Sequence, residues 1–306
     1  MYSINLGKSN LKVPTIAVGC MRLTELDQKE AAEFLHGAIE LGANYFDHAD
    51  IYGAGACESL FADALELNAS NREKLFIQSK SSIVPGQRFD FSKEYILESV
   101  DGILSRLKTD YLDAYLLHRP DALMEPEEVA EAFDILERNG KVRHFGVSNQ
   151  NPMQIQLLQK CVEQPIVANQ LQFGPAHTGM IAQGIEVNMT TPGSVNHDGS
   201  VLDFCHLHDI TVQPWSPFQY GFFDGVFLGN EKYKKLNDTL DALAEKYAVS
   251  ATTITVAWFL RHPAKLQPII GSTKLSRLEE ACKATEVHLT RQEWYDIYTA
   301  GGRILP

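Results

Sequence analysis

Eight times along this 306-residue chain a short apolar run gives way to a stretch of helical period, and no other feature restricts the fold so tightly. The runs are TIAVG, NYFD, LFIQSK, DAYLLH, HFGVSN, IVANQ, TVQPWS and QPIIGS. Most are apolar at successive rather than alternate positions, the pattern of parallel strands covered on both faces. Between them lie helices with readable ends. Asp27 and Glu30 form a capping box ahead of Ala31, Phe34, Leu35, Ala38 and Ile39. Ser92 opens a second helix through Ile96, Val100, Ile103, Leu104 and Leu107, and Val129, Ala132, Phe133 and Leu136 mark a third, stopped by Gly140. Asn151-Pro152 gives an N-cap followed by proline at the first helical position, and Ser276/Glu279 and Thr290/Glu293 supply late capping boxes. Alternating βα units in this number predict an α/β fold closed into a (β/α)8 TIM barrel, for which the length is ordinary. An initial β-hairpin (residues 2–13) is expected to close the barrel bottom. No Pro/Ser/Gly-rich linker divides the chain, so residues 1–306 read as one domain. The segment from Phe173 to about Ser200 does not fit the repeat.

A net charge of −12 argues against general nucleic-acid binding, which needs a basic face, although a local Arg or Lys can still hold a small anionic cofactor. Five cysteines (Cys20, Cys57, Cys161, Cys205, Cys282) are scattered without CxxC spacing and read as reduced thiols. The N-terminus has no basic region leading into an apolar one, and no apolar run reaches the ~18 residues of a membrane span. The expectation is a soluble, cytoplasmic protein.

The informative positions are the C-terminal strand ends, which converge on one face of such a barrel. Polar or special residues recur there: Gly19-Cys20-Met21, Asp47, Lys80, His118, Ser148-Asn149, Gln170, Trp215-Ser216 and Gly271-Ser272. Strand ends are often polar because loops begin there, which accounts for Ser and Asn but poorly for Lys80 and His118. The stretch GANYFDHADIYGAGACE gathers Asp47, His48, Asp50 and Glu58 around Tyr52 and raises the question of a metal site. His48 alternates away from Asp47 on the strand. Glu58 falls in the first turn of the next helix, where a carboxylate suits the helix dipole. His144 reads as a satisfied barrel histidine.

FDHADIYGAGACE, the lysine of IQSK, the histidine of YLLHRPD, then GVSN, NQ, WSPF and GST-x3-R together resemble the aldo/keto reductases, in order and spacing over nearly the whole chain. The resemblance implies reduction of an aldehyde or ketone by a nicotinamide cofactor, without metal. It puts a catalytic tetrad on Asp47, Tyr52, Lys80 and His118. The chemistry agrees. Hydride addition leaves an alkoxide that must receive a proton, and a tyrosine can give one if a cation eases formation of its phenolate. Lys80 is that cation, Asp47 holds it, and His118 orients the substrate oxygen.

Ser148, Asn149 and Gln170 suit a nicotinamide carboxamide, and Gly19, Cys20 and Met21 belong to the same expected cofactor site. Trp215 resembles the aromatic residue on which the nicotinamide stacks in this family. Ser216, Pro217, Phe218 and Gly221 correspond to the loop along the pyrophosphate. No GxGxxG follows a strand, so the dinucleotide is not held in the Rossmann manner. The adenosine end is assigned to Gly271, Ser272, Thr273, Arg277 and Glu280. Arg277 suits a 2′-phosphate, so NADPH is expected ahead of NADH. Many relatives carry lysine at the position of Gly271, and Lys274 is the nearby substitute. Met21, residues 173–200 with His177, and Tyr220–Phe223 are the expected substrate walls, suited to a hydrophobic carbonyl compound. The long segment is read as a lid or a solvated connection. The family also suggests a monomer. Two rival readings remain: a cofactor-binding regulatory protein on the same fold, and a metal-dependent barrel hydrolase using Asp47, His48, Asp50, Glu58 and His118.

Overall fold

Each of the eight apolar runs becomes a parallel strand in a computed structural model of the chain, which describes residues 1–305. An N-terminal antiparallel pair comes first, β1 (Ser3–Asn5) and β2 (Lys12–Pro14). The barrel strands are β3 (Ala17–Gly19), β4 (Tyr45–Asp47), β5 (Phe76–Ser81), β8 (Ala114–Leu117), β9 (Phe145–Ser148), β10 (Ile166–Gln172), β11 (Thr211–Trp215) and β12 (Ile269–Ile270). A small excursion, β6 (Ile83–Val84) with β7 (Arg88–Phe89), follows β5. The sheet order is β11-β10-β9-β8-β5-β4-β3-β12. Gln267 N–H donates to Val212 O (3.1 Å), drawing the approach to β12 beside β11, so the sheet nearly closes.

The inner face at the N-terminal end is apolar. Leu6, Val13, Ala17, Tyr45, Leu116 and Val167 pack there as one cluster, and the β1–β2 hairpin lies across it. Gly7 makes that closure possible. Its φ is +54°, and a Cβ would fall 2.3 Å from Val167 O. Gly7 N–H also donates to Thr211 Oγ1 (2.8 Å), tying the hairpin to β11.

The capping boxes at Asp27/Glu30, Asn151/Gln154 and Thr290/Glu293 form with both reciprocal bonds. The box expected at Ser276/Glu279 does not. That helix begins at Leu275, with Lys274 as N-cap and no side-chain cap bond. Leu275 packs tightly over Gly37 of the first long helix, which draws the helix start one residue ahead of Ser276. Residues 173–200 also differ from expectation. They carry a helix, Gly179–Ile185, and Phe173 is buried against Trp258 and Phe259 (ring centroids 5.3 and 5.5 Å). No helix of the described residues is long and apolar enough to cross a membrane.

Candidate active site

Alternation along β5 sorts its side chains. Ser79 and Ser81 point outward, to Glu58 (2.7 Å) and the Tyr115 hydroxyl (2.6 Å). Gln78 and Lys80 therefore share the inner face. Asp47 pairs in register with Gln78 across β4 and β5, and Lys80 lies one pleat further up. Its ammonium donates to both Asp47 oxygens (2.8 and 2.9 Å) and to His48 O (2.6 Å), with no solvent exposure. Burial acts to lower the Lys80 pKa, but Asp47 and then Tyr52 outweigh it and hold the pKa above the ordinary lysine value.

Tyr52 comes from the turn after β4, where Gly53, Ala54 and Gly55 all have positive φ (56°, 52° and 90°). Gly55 is confined twice over, since a Cβ would also strike Arg106 Cδ at 2.6 Å. The turn lays the Tyr52 ring over Lys80, Nζ standing 5.0 Å from the centroid. His118, at the end of β8, meets the same ring edge-on with centroids 6.0 Å apart. Burial pushes the Tyr52 phenol above its usual range, Lys80 pulls it back, and Asp47 adds to the rise. Burial, Lys80 and Arg119 together drive His118 well below the usual imidazole value. Near neutral pH the site therefore presents a phenol, a neutral imidazole and an ammonium.

These groups border a cavity of about 830 Å³ at the C-terminal mouth, a size typical of ligand sites. Asp47, Tyr52 and His118 line it, with Gly19 and Met21 beside them; Lys80 lies just beneath. Ser148, Asn149, Gln170, Trp215, Ser216, Pro217 and Phe218 form its middle, and Gly271, Ser272 and Arg277 its far end. Three strand-end residues have positive φ, namely Ser82 (129°), Asn149 (57°) and Ser216 (48°), a concentration of backbone strain at the mouth. Asn149 donates to Ser148 Oγ (2.7 Å) and accepts from Trp215 Nε1 (3.2 Å). Gln170 Nε2 is turned inward to Asp47 Oδ1 (3.0 Å), leaving its side-chain carbonyl oxygen without a donor among the described residues.

Four expected cofactor residues fall outside this lining. Cys20 is buried and its thiol turns back to Val18 O (3.8 Å). Gly221 accepts from Gln172 Nε2 on the far side of its loop. The Glu280 carbonyl accepts from Thr253 Oγ1 (2.7 Å), and Thr273 does not reach the cavity. Of the expected substrate walls, Met21, Phe222 and Phe223 line the cavity, whereas Tyr220 and residues 173–200 do not. Tyr220 instead packs on Tyr233 (4.9 Å), and the long segment is held from below by contacts such as Arg303 Nε to Thr178 Oγ1 (2.7 Å). Ile83 and Phe89, from the β6–β7 excursion, supply wall in its place.

The remaining acidic groups and the histidine of GANYFDHADIYGAGACE disperse. Glu58 is fully buried and accepts from Arg106 Nε (2.7 Å) as well as Ser79, an ion pair rather than only a first-turn carboxylate. Among the described residues no three His, Cys, Asp or Glu side chains group closely enough to hold a metal. His48 packs its ring edge-on against Phe61 (4.6 Å), and neither ring nitrogen has a partner among the described residues.

His48 carries a pH signature. Burial, with Lys80 secondary, lowers its pKa from 6.5 to about 3. Between those values the unfolded chain binds the proton and the folded chain does not, so stability falls as pH drops through that window. Asp50, raised by burial and then Glu58 from 3.8 to about 7, acts in the opposite sense between those values and offsets part of the His48 loss. At pH 4.5 the His48 contribution amounts to roughly 2–3 kcal/mol. Denaturant unfolding should show that, each referred to its own stability at pH 7, His48→Leu is more stable than wild type at pH 4.5 by about that amount. An unchanged dependence would assign the acid sensitivity elsewhere.

A barrel mouth joining a tyrosine, a neutral histidine and a buried lysine–aspartate pair is the architecture of a barrel oxidoreductase. The chain belongs to the aldo/keto reductase family, whose model matches residues 15–300. The uncharacterized oxidoreductase YcsN of Bacillus subtilis (strain 168) is 36% identical over 98% of each chain. The 6-dehydroglucose reductase of Novosphingobium aromaticivorans is 33% identical over 98% of this chain and 96% of its own. A thermostable aldo-keto reductase, Tm1743, crystallised with the inhibitor epalrestat, superposes with a TM-score of 0.79 at 27% identity, covering 98% of this chain and 100% of its own.

Proposed function

We propose that the chain reduces an aldehyde or ketone to an alcohol with NADPH, Tyr52 giving the proton. The observation carrying this reading is the buried Lys80–Asp47 pair directly under the Tyr52 ring, with His118 at its edge. The cofactor supplies the hydride. Tyr52 delivers its hydroxyl proton to the carbonyl oxygen as charge develops there, and Lys80 stabilises the phenolate left behind. Asp47 keeps Lys80 charged and aimed. Neutral His118 fixes the carbonyl oxygen, while Met21, Ile51, Phe89, Phe222 and Phe223 exclude water from the reacting atoms.

The donor set fits a dinucleotide. The free Gln170 carbonyl suits the carboxamide amine, and Trp215 gives an aromatic wall beside it. Arg277, exposed at the far end of the cavity and without a carboxylate partner among the described residues, suits a 2′-phosphate. Arg277→Ala should therefore raise the KM for NADPH roughly ten- to a hundredfold, with little change for NADH. Equal effects on both would refute the phosphate role. The name of the Novosphingobium relative carries an aldehyde acceptor, and aldehydes are the first substrates to try. Titration with NADPH should quench Trp215, the other two tryptophans being buried against each other (5.0 Å). Aldehyde-dependent loss of NADPH absorbance should follow. Absence of both would defeat the reading.

A further inference from the structure

Three cations of the barrel each hold a buried carboxylate: Lys80 with Asp47 (2.8 Å), Arg72 with Asp113 (2.8 Å) and Arg106 with Glu58 (2.7 Å). Arg119 does not. It follows His118 directly, and its backbone is pinned by Ser82 Oγ, which accepts from Arg119 N–H (3.1 Å) and donates to its carbonyl (3.4 Å). The half-buried side chain enters the reaction cavity. Its guanidinium carbon stands 5.6 Å from the Trp215 ring centroid and 5.7 Å from that of Phe222. Among the described residues no carboxylate pairs with it and no acceptor takes a hydrogen bond from its side chain.

A guanidinium partly removed from water without a counter-charge is held at a cost in solvation, which an incoming anion would offset. Burial lowers the Arg119 pKa, the direction expected of a cation lacking its partner. The two aromatic rings restrict the fork without occupying its donors, and a planar fork suits bidentate recognition of an oxyanion. The other arginines of the cavity do not share this position. Arg22 is paired at the rim with Glu25 (3.9 Å), and Arg277 lies at the adenosine end.

We infer that Arg119 selects carbonyl substrates bearing an anionic oxygen group, carboxylate or sulfonate, near the reacting carbon. The inference rests on the carbonyl-reductase reading. It also revises the expectation of a purely hydrophobic substrate: the walls are apolar, but one strong anion-binding donor stands among them. The chain's net charge of −12 makes a local cation necessary for such a substrate to bind.

The test compares 3- and 4-formylbenzoate, each with its own formylbenzamide, and adds 4-formylbenzenesulfonate. Carboxylate and amide have nearly the same shape and differ in charge. Wild type should favour the benzoate over the amide by about tenfold or more in kcat/KM at one ring position. In Arg119→Leu that ratio should collapse towards one, and Arg119→Lys should retain part of it. Preference for the sulfonate over both benzoates would identify sulfonates as the source of the anion. No anion preference in wild type, a measurement needing no variant, overturns the inference. So does a preference that survives Arg119→Leu. A uniform loss across all aldehydes with weaker NADPH binding would make Arg119 a cofactor contact instead. If benzamides and benzoates alike are not reduced, this inference fails, and if NADPH also leaves Trp215 unquenched the reductase reading fails with it.

Discussion

Tyr52→Phe is expected to bind NADPH as wild type does and to lose carbonyl reduction by a factor on the order of 10²–10⁴. The substitution removes one oxygen and keeps the ring that covers Lys80 and meets His118 (centroids 6.0 Å apart), so the cavity keeps its shape. No neighbour can replace the lost proton. His118 is held neutral by its burial and by the Lys80 and Arg119 charges, and its Nδ1 has no partner among the described residues. It can orient an oxygen but holds no imidazolium proton to give near pH 7. Lys80 has a raised pKa and is held by Asp47 and the His48 carbonyl, so it is a poor acid as well as a buried one. The phenol itself stays protonated through the neutral range, because burial prevails over Lys80 in setting its pKa. Cofactor affinity read from Trp215 and turnover read with one aldehyde separate the two expectations. A variant that turns over at the wild-type rate would remove Tyr52 as proton donor.

Residues whose surroundings are set by strand order were legible in the sequence. Once eight strands alternate with helices, Asp47, Lys80 and His118 must emerge at one mouth, and alternation turns His48 the other way. Residues whose partners are distant in sequence were not legible. Gln78 reads as a polar interruption of an apolar strand. In the fold its amide donates to Asp47 Oδ1 (2.6 Å) and to Gln213 Oε1 (3.0 Å), 135 residues on, while its carbonyl accepts from Tyr45 OH (2.7 Å). Gln213 passes the chain of bonds to Gln267 (2.9 Å), and Gln267 to Pro14 O (2.6 Å). A fully satisfied polar network thus runs from the hairpin plug to the Asp47 carboxylate. The available clue was glutamine at interior-facing strand positions, in register with Lys80 on β5. Glu58 was hidden for the same reason, since its partner Arg106 lies 48 residues away. Residues 173–200 misled by composition. They were read as substrate wall and as a lid or a solvated connection, but they do not line the cavity, and Phe173 packs among Trp258 and Phe259.

The second large effect separates a catalytic ion pair from a merely structural one. Lys80→Met should destabilise the fold by about 3–5 kcal/mol, because it leaves the Asp47 carboxylate buried without its cation. The two amide donors that remain, from Gln78 and Gln170, hydrogen-bond the charge but do not neutralise it. Loss of activity in that variant alone would be uninformative, since a weakened barrel could explain it. Adding Asp47→Asn removes the stranded charge while keeping an acceptor for Gln78 and a side chain of the same size. The double variant should recover at least about half of the lost stability, the coupling expected of residues in direct contact. Reduction should nevertheless stay low in it, because no cation remains to stabilise the phenolate form of Tyr52. Denaturant unfolding and single-turnover reduction on Lys80→Met, Asp47→Asn and the double variant complete the cycle. Activity returning along with stability would mean that Lys80 and Asp47 only hold the barrel mouth together, and that Tyr52 donates its proton without them.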